Sequence, residues 1–187
     1  MDLNTRYEFL KSMVVSRKEE FKNLMDFIET STSYLTAPAS TRFHLCRERG
    51  LLEHSVNVAE TMLKIKNELA PEISDESCVI VALLHDLGKA GMPGNPQYLK
   101  NPSAEWRQNA APYLFNKDLL YLSVPVRSLF LVGSRFPLTD VEAQAIIYHD
   151  GQYVDDNHSV ATHEAPLTLL LQYADNWSGF VIEERDA

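Results

Sequence analysis

Apolar residues recur at helical spacing from the start of this chain. The first run, at alternating spacings of three, four and seven, predicts an amphipathic helix over roughly residues 3–30, with the apolar members Leu3, Tyr7, Leu10, Val14, Phe21, Leu24 and Ile28. This face either packs on the rest of the domain or forms a dimer contact. Four heptads alone do not demand a coiled coil. We therefore favour packing on the domain and keep a homodimer through the 3–30 helix as the alternative.

A second amphipathic pattern begins after Gly50 and ends before Pro71. Its apolar residues form two adjacent rows on one side of the predicted helix, and His54 belongs to one of these rows. We therefore expect His54 to point inward or along the edge of the core.

The next segment, Val79–Leu84, is apolar on every side, which predicts a central helix surrounded by the rest of the fold. We expect this helix to end near Gly88, its C-terminal glycine. His85 and Asp86 then lie in its last turn, where the helix dipole favours a cation. Polar groups in so apolar a place are costly unless they find partners, and a metal ion would offset that cost.

The segment 91–122 is rich in proline, glycine and aromatic residues, and it either lines a substrate pocket or caps the bundle. Within it we predict one small β-hairpin near 112–122, pairing 112–115 with 119–122. Three further helices follow: from Pro125 to about Ser134, from the capping box at Thr139 to about His149, and from Pro166 onward. The predicted fold class is all-α, with six or seven helices.

Composition limits the partners of this chain. Its 187 residues, 45% hydrophobic and 23% charged, are typical of one soluble globular domain over 1–187. A net charge of −9 argues against long nucleic acid bound through a broad basic face, although a metal would still admit a small anionic substrate. The N-terminus lacks an apolar signal core, and no stretch is long enough to span a bilayer. We expect a cytoplasmic protein with no membrane partner.

The candidate chemistry lies in His54, His85, Asp86 and Asp175, which come from three predicted helices and adjoin apolar faces. Imidazole and carboxylate groups are the donors that divalent ions such as Mn²⁺, Fe²⁺, Co²⁺, Zn²⁺ and Mg²⁺ accept. Taken singly, an inward histidine is usually a hydrogen-bonded core residue and an aspartate is usually a cap or an ion-pair partner. The adjacent His-Asp pair at the exit of an apolar helix favours a metal site.

These residues lie in recognisable motifs. The segments 51–55 (LLEHS) and 83–89 (LLHDLGK), followed by Ala174-Asp175, resemble the HD-domain phosphohydrolase superfamily, an all-helical and metal-dependent group. The resemblance spans about residues 37–180. The lead-in at 37–40 (APAS) is similar to that of the HD module of bacterial 3′–5′ exoribonucleases. The family's fold, metal dependence and activity are what this resemblance implies.

The resemblance also implies roles for individual residues. His54, His85, Asp86 and Asp175 would bind the metal, and Asp86 would bridge two ions if two are bound. We favour one tightly bound divalent ion (Mn, Fe, Ni, Co, Zn or Mg), because no histidine lies between 86 and 148 to complete a second set. A weaker second site would use Asp86, His149 and Asp150.

The expected function is hydrolysis of a nucleotide or a short oligonucleotide by metal-activated water. Asp86 and Asp175 would be catalytic as well as metal ligands, with Asp175 orienting the water. Lys89 and Arg42 would neutralise the phosphate, although a solvated lysine fits the spacing of Lys89 equally well. His44 is either an outer-shell or proton-transfer group or a surface turn residue. The alternatives are an HD-fold nucleotide-sensing module without turnover and an HD-type iron oxygenase.

Overall fold

The regular elements are seven α-helices and one two-stranded antiparallel sheet in a computed structural model that describes residues 1–183. They are α1 (Leu3–Ser12), α2 (Lys18–Ser31), α3 (Gly50–Leu69), α4 (Asp75–Leu84), β1 (Tyr98–Lys100), β2 (Tyr113–Phe115), α5 (Val124–Gly133), α6 (Asp140–Tyr148) and α7 (Pro166–Trp177). Short 3₁₀ segments follow α4, β1 and α6, and a π-helical turn (Ser178–Ile182) follows α7. The all-α class with one small β element is confirmed.

The centre of the fold is α4, as its continuous apolar run predicts. Every side chain from Cys78 to Leu84 is fully buried, and α4 contacts α3, α6 and α7. Ser74 caps this helix, because its hydroxyl accepts a hydrogen bond from the Ser77 amide at 3.0 Å.

The predicted end of this helix at Gly88 is wrong by one turn. α4 ends at Leu84, and the chain tightens into a 3₁₀ segment at Leu87–Ala90. The Ser128 hydroxyl, on α5, donates to the His85 carbonyl and accepts from the Gly88 amide, both at 2.7 Å. Gly88 allows the 3₁₀ segment to pack closely against the start of α5, since a Cβ at this position would lie 2.2 Å from the Val124 carbonyl oxygen.

The single N-terminal helix predicted over 3–30 is also wrong. The chain breaks into α1 and α2, because Glu76 of α4 accepts hydrogen bonds from the amides of Val15 at 2.9 Å and Ser16 at 2.7 Å. Those amides would otherwise belong to a continuous helix. The apolar faces of both helices are buried in the chain's own core, which agrees with packing on the domain.

The β element has a different partner from the predicted one. β2 pairs with β1, with Tyr98 opposite Phe115 and Lys100 opposite Tyr113, and no strand forms at 119–122. The side chain of Asn101 explains this, because it donates to the Ala111 carbonyl at 2.7 Å and closes the long loop between the strands.

The C-terminal helices begin where the sequence predicts. Thr139 and Glu142 form the reciprocal capping box at the start of α6, and Pro166 is the first residue of α7. α7 packs on α3, α4 and α6, which brings Asp175 beside the end of α4. Within residues 1–183, none of the helices combines the length and the apolarity that crossing a membrane requires.

Candidate metal centre

Four side chains that are distant in sequence meet at one point, and we refer to them as the histidine–aspartate cluster: His54 on α3, His85 and Asp86 after α4, and Asp175 on α7. The His54 Nε2 atom lies 3.0 Å from Asp175 Oδ1 and 3.5 Å from Asp86 Oδ2. The His85 Nε2 atom lies 3.5 Å from Asp86 Oδ2 and 4.0 Å from Asp175 Oδ1. The structure therefore brings together all four predicted ligands.

These separations suit a single cation. Nitrogen and oxygen ligands bound at about 2.0–2.2 Å lie roughly 3–3.5 Å apart around one ion. Three of the four distances above fall in this range, and the fourth exceeds it by about half an ångström. His54, His85 and Asp86 are almost fully buried, while Asp175 is 22% exposed and provides access from solvent.

Three buried histidines form hydrogen bonds to other groups of the protein through Nδ1, the outer ring nitrogen that points away from the cluster. The Nδ1–H group of His85 donates to the Ala82 carbonyl, and that of His149 donates to the Ile146 carbonyl, both at 2.8 Å. His54 Nδ1 lies 3.0 Å from Glu183 Oε1. In each case the Nε2 atom faces the cluster, which is the arrangement of a metal-binding imidazole.

One donor atom tests the fit directly. His85 Nε2 is buried and has no hydrogen-bond partner among the described residues. A buried polar atom without a partner is costly unless a ligand satisfies it. Within the described part of the chain, three groups of three residues could each hold a metal ion, because the ligand atoms within each group lie within 4.8 Å of one another. His85 belongs to two of these groups, one with His54 and Asp86 and one with His149 and Asp175. These residues fit a divalent metal ion.

Comparison with known proteins agrees with this geometry. The family model of the HD domain matches residues 51–112, a range that contains His54, His85 and Asp86. This match supports membership of the HD-domain superfamily. Most members are metal-dependent hydrolases, and HD domains bind divalent metals. No curated protein and no solved structure gave a significant match. Asp175 and His149 lie outside the matched range, so their roles in this HD domain depend on the geometry.

The two histidines of the cluster differ in their affinity for protons. Burial alone would lower the pKa of His54, but hydrogen bonds to Asp175 and Glu183 outweigh it and raise the pKa to about 10. Burial lowers the pKa of His85 to about 4, despite the charge of Asp86. A cation must therefore compete with a proton at His54, whereas His85 offers a free lone pair at neutral pH.

A second group of donors adjoins the cluster. His149 Nε2 lies 3.5 Å from Asp86 Oδ1 and 3.6 Å from Asp150 Oδ1. Asp86 thus directs Oδ2 toward His54 and His85 and Oδ1 toward His149. This orientation is compatible with the predicted weaker site through Asp86, His149 and Asp150.

Lys89 is held at the cluster by a close ion pair with Asp86 Oδ2. Burial alone would lower the pKa of Lys89, but the charge of Asp86 outweighs it and keeps the pKa above its ordinary value. The ammonium group is therefore charged at neutral pH. Its side chain is 20% exposed, so it faces both the cluster and solvent.

The two other predicted substrate-binding residues, His44 and Arg42, lie in different parts of the structure. The His44 ring lies 5.1 Å from the His54 ring, and its Nε2 atom is 3.7 Å from Glu183 Oε2. This position agrees with an outer-shell role. Arg42 is exposed beside Arg107 in a cavity at the hairpin, and it does not line either cavity next to the cluster. Its role in phosphate binding stays a prediction.

Glu183 belongs to the site by its contacts, and no sequence motif predicts it there. Its carboxylate holds His54 Nδ1 and also accepts a hydrogen bond from Asn57 at 3.1 Å. The π-helical turn after α7 carries Glu183 to this place, and nothing in the local sequence marks it as an inward residue. Asn57 offered a weak signal, since it lies three residues after His54 and shares its face of α3.

Two cavities open at the cluster. The smaller, of about 260 Å³, is lined by His54, His149, Asp175 and Phe180, among others. The larger, of about 740 Å³, is lined by the last part of the 91–122 segment, by the start of α5 and by the end of α6. Asp86 and Lys89 line both cavities, so the cluster lies at their junction.

Proposed function

We propose that this HD domain is a phosphodiesterase or phosphatase that hydrolyses a nucleotide or a short oligonucleotide with the help of a divalent metal ion. The observation that carries the proposal is the convergence of four donors from three helical regions on a point where His85 Nε2 has no other partner. In such a reaction water adds to phosphorus and the ester oxygen leaves with its electron pair.

The metal would be held by His54 Nε2, His85 Nε2, Asp86 Oδ2 and Asp175 Oδ1. A bound Mn, Fe, Ni, Co, Zn or Mg ion would supply a Lewis acid and a water of lowered pKa. The protein contributes the fixed orientation of the donors, since the backbone carbonyl of Ala82 and the carboxylate of Glu183 hold the outer nitrogens of the two histidines.

Lys89 would bind the phosphate. Its ammonium group is charged, and its side chain lines both cavities at their junction. A cation in this place stabilises the negative charge that develops on the phosphoryl oxygens. Because Lys89 approaches only one oxygen of Asp86, its other N–H groups can point toward a substrate.

Two carboxylates would orient the attacking water and accept its proton. Asp175 and Asp150 both line the small cavity and are partly exposed there. Because Asp175 Oδ1 would hold the metal, the other oxygen of the same carboxylate would orient the attacking water. His44 lies next to His54 and Glu183 and would help to fix the positions of both side chains.

The overall charge favours a small substrate. The net charge of −9 opposes a long polyanion, because binding of such a polymer depends on many phosphate contacts with lysine and arginine. A mononucleotide or a dinucleotide needs only the local positive charge of the metal and Lys89.

The proposal is tested with metal analysis and hydrolysis of bis(p-nitrophenyl) phosphate and dinucleotides in Mn²⁺. The wild-type protein should retain metal and hydrolyse at least one of these esters. Asp86→Ala should lose the metal and lower turnover by about 10³-fold or more while circular dichroism stays helical. Asp26→Asn, on an exposed face of α2, is the matched control and should behave as wild type.

Two outcomes would contradict the proposal. Retained metal with no turnover of any phosphate ester would favour the nucleotide-sensing alternative. Full activity in Asp86→Ala would remove the cluster from the mechanism.

A further inference from the structure

The larger cavity at the cluster has mainly apolar walls. Its apolar lining includes Phe115, Leu119, Leu122, Val126, Ile147 and Val154. Phe115 is 62% exposed and Val126 is 45% exposed, so these apolar side chains are open to a ligand. A volume of about 740 Å³ lies within the range of about 300–1,000 Å³ that is usual for small-molecule sites.

The polar amides in this wall are already bound to the protein. Asn116 donates from its amide nitrogen to the Asn95 side chain at 2.7 Å and to the Pro96 carbonyl at 2.8 Å. Asn157 donates to the Gly151 carbonyl at 2.9 Å. A ligand in the cavity therefore meets mainly apolar surface.

The N–H donors of Arg127 in the cavity are almost entirely occupied as well. Among the described residues that line it, Lys89 and Arg127 are the cations. Arg127 donates to the carbonyls of Gly88, Leu120 and Leu122 and to the Gln97 side chain, which leaves only its buried Nε group without a partner. Asp150 and Asp156 add negative charge to the same wall.

From this distribution we infer that the cavity binds a bulky, apolar ring attached to a single phosphate, with the phosphate at the histidine–aspartate cluster and Lys89. The inference rests on the proposed function, because the cluster fixes the position of the phosphate. A second anionic group further into the cavity would find almost every N–H donor of Arg127 already occupied and would lie near Asp150 and Asp156. A nucleoside triphosphate does not fit this description.

Exposed aromatic side chains at the cavity support a planar ring as the occupant. Tyr121 and Phe115 are 86% and 62% exposed, so most of the surface of both rings is available for contact with a ligand. Aromatic faces stack on planar rings of many kinds, which gives affinity with little selectivity among them.

The inference is tested by calorimetry on the Mn²⁺-loaded protein with phosphonates, which cannot be hydrolysed at their P–C bond. Benzylphosphonate should bind at least about tenfold more tightly than methylphosphonate, because only the former buries a ring in the cavity. p-Carboxybenzylphosphonate should lose most of that gain, since its carboxylate loses water in a mainly apolar cavity where almost every N–H donor of Arg127 is already occupied.

A matched pair of substitutions on α5 locates the effect. Val126 lines the cavity, whereas Phe130, one turn later and also exposed, does not. Val126→Asp should bring the ratio of the benzylphosphonate and methylphosphonate affinities close to one. Phe130→Asp should leave the ratio as in the wild type. Since the two ligands have nearly the same charge, repulsion by the new aspartate largely cancels in this ratio.

The outcomes distinguish this inference from the proposed function. Equal affinity for benzylphosphonate and methylphosphonate would contradict the cavity inference and leave hydrolysis at the cluster intact. A preference for benzylphosphonate that survives Val126→Asp would contradict it too. The expected preference in a protein that hydrolyses no phosphate ester would support the cavity as a binding site and contradict the proposed function.

Discussion

Two groups of charged side chains within residues 1–183 use their polar atoms differently. In the ion network of Arg17, Glu76 and Glu142, the guanidinium group donates to Glu76 at 2.9 Å and to Glu142 at 2.6 and 2.8 Å. Glu76 also accepts from the amides of Val15 and Ser16, and Glu142 from that of Thr139. The three side chains satisfy one another.

The histidine–aspartate cluster has the opposite organisation. Its histidines are fixed from outside by Ala82 and Glu183, while their inner nitrogens face the carboxylates of Asp86 and Asp175. One of those nitrogens, His85 Nε2, has no partner within residues 1–183. Buried charge alone therefore does not mark a functional site. Donor atoms that are held in place and left facing one another do.

The largest effect on stability should come from removing the cation of the ion network. Arg17→Met leaves Glu76 and Glu142 buried without a counter-charge, so we expect the free energy of unfolding in urea to fall by about 3–5 kcal/mol. Metal content should not change. Lys22→Met, which breaks the exposed pair with Asp26, is the control and should cost less than about 1 kcal/mol. Equal losses in the two variants would show that the ion network is not a structural support.

Removing the lysine beside the histidine–aspartate cluster should affect catalysis instead of stability. Lys89→Ala should lower kcat by about 10²-fold or more, because a preorganised charge at the phosphate is lost. Metal stoichiometry, measured by elemental analysis, should stay as in the wild type. Lys100→Ala, at an exposed lysine on β1, should leave kcat unchanged. Loss of metal in Lys89→Ala would instead assign this lysine a structural role.

A smaller effect is expected from Glu183, which acts through His54. Glu183→Gln keeps the shape of the side chain and removes its charge, so Mn²⁺ affinity in calorimetry should fall by about 10–100-fold. At saturating Mn²⁺, kcat should recover to within about twofold of the wild type, as expected for a positioning residue. Glu53→Gln, on α3 itself and paired with Arg47, should leave Mn²⁺ affinity unchanged. A kcat that stays low at saturating metal would contradict the positioning role.

The smallest effect concerns the pH dependence of stability. Burial raises the pKa of Glu76, but hydrogen bonds from Arg17 and Ser16 outweigh it and lower the pKa from 4.5 to about 2. A carboxyl with a lowered pKa in the folded state stabilises the fold above its unfolded pKa, and this contribution is lost as the pH falls toward the folded value. The free energy of unfolding should therefore decrease between about pH 4.5 and pH 2. Glu76→Gln should flatten this decrease, whereas a slope that persists in Glu76→Gln would assign it to other groups.

The sequence alone predicts the parts of this molecule that depend on local patterns. The buried run of α4, the capping box at Thr139 and the proline at the start of α7 all lie as expected. The four cluster residues were found because family motifs and apolar faces mark them, and the structure brings them together.

The parts that the sequence could not predict depend on contacts between distant residues. The break between α1 and α2 is stabilised by Glu76, about 60 residues further along the chain. The partner of β2 depends on Asn101 across a long loop. Glu183 reaches His54 only through the π-helical turn after α7. None of these contacts leaves a periodic signal.

We propose that one cation is held jointly by His54, His85, Asp86 and Asp175. Anomalous X-ray diffraction from crystals grown with Mn²⁺ tests it most directly. We expect one strong anomalous peak within about 2.0–2.4 Å of the Nε2 atoms of both histidines and of one oxygen of each aspartate. A Mn²⁺ peak elsewhere, with His85 Nε2 still unbound, would contradict the account.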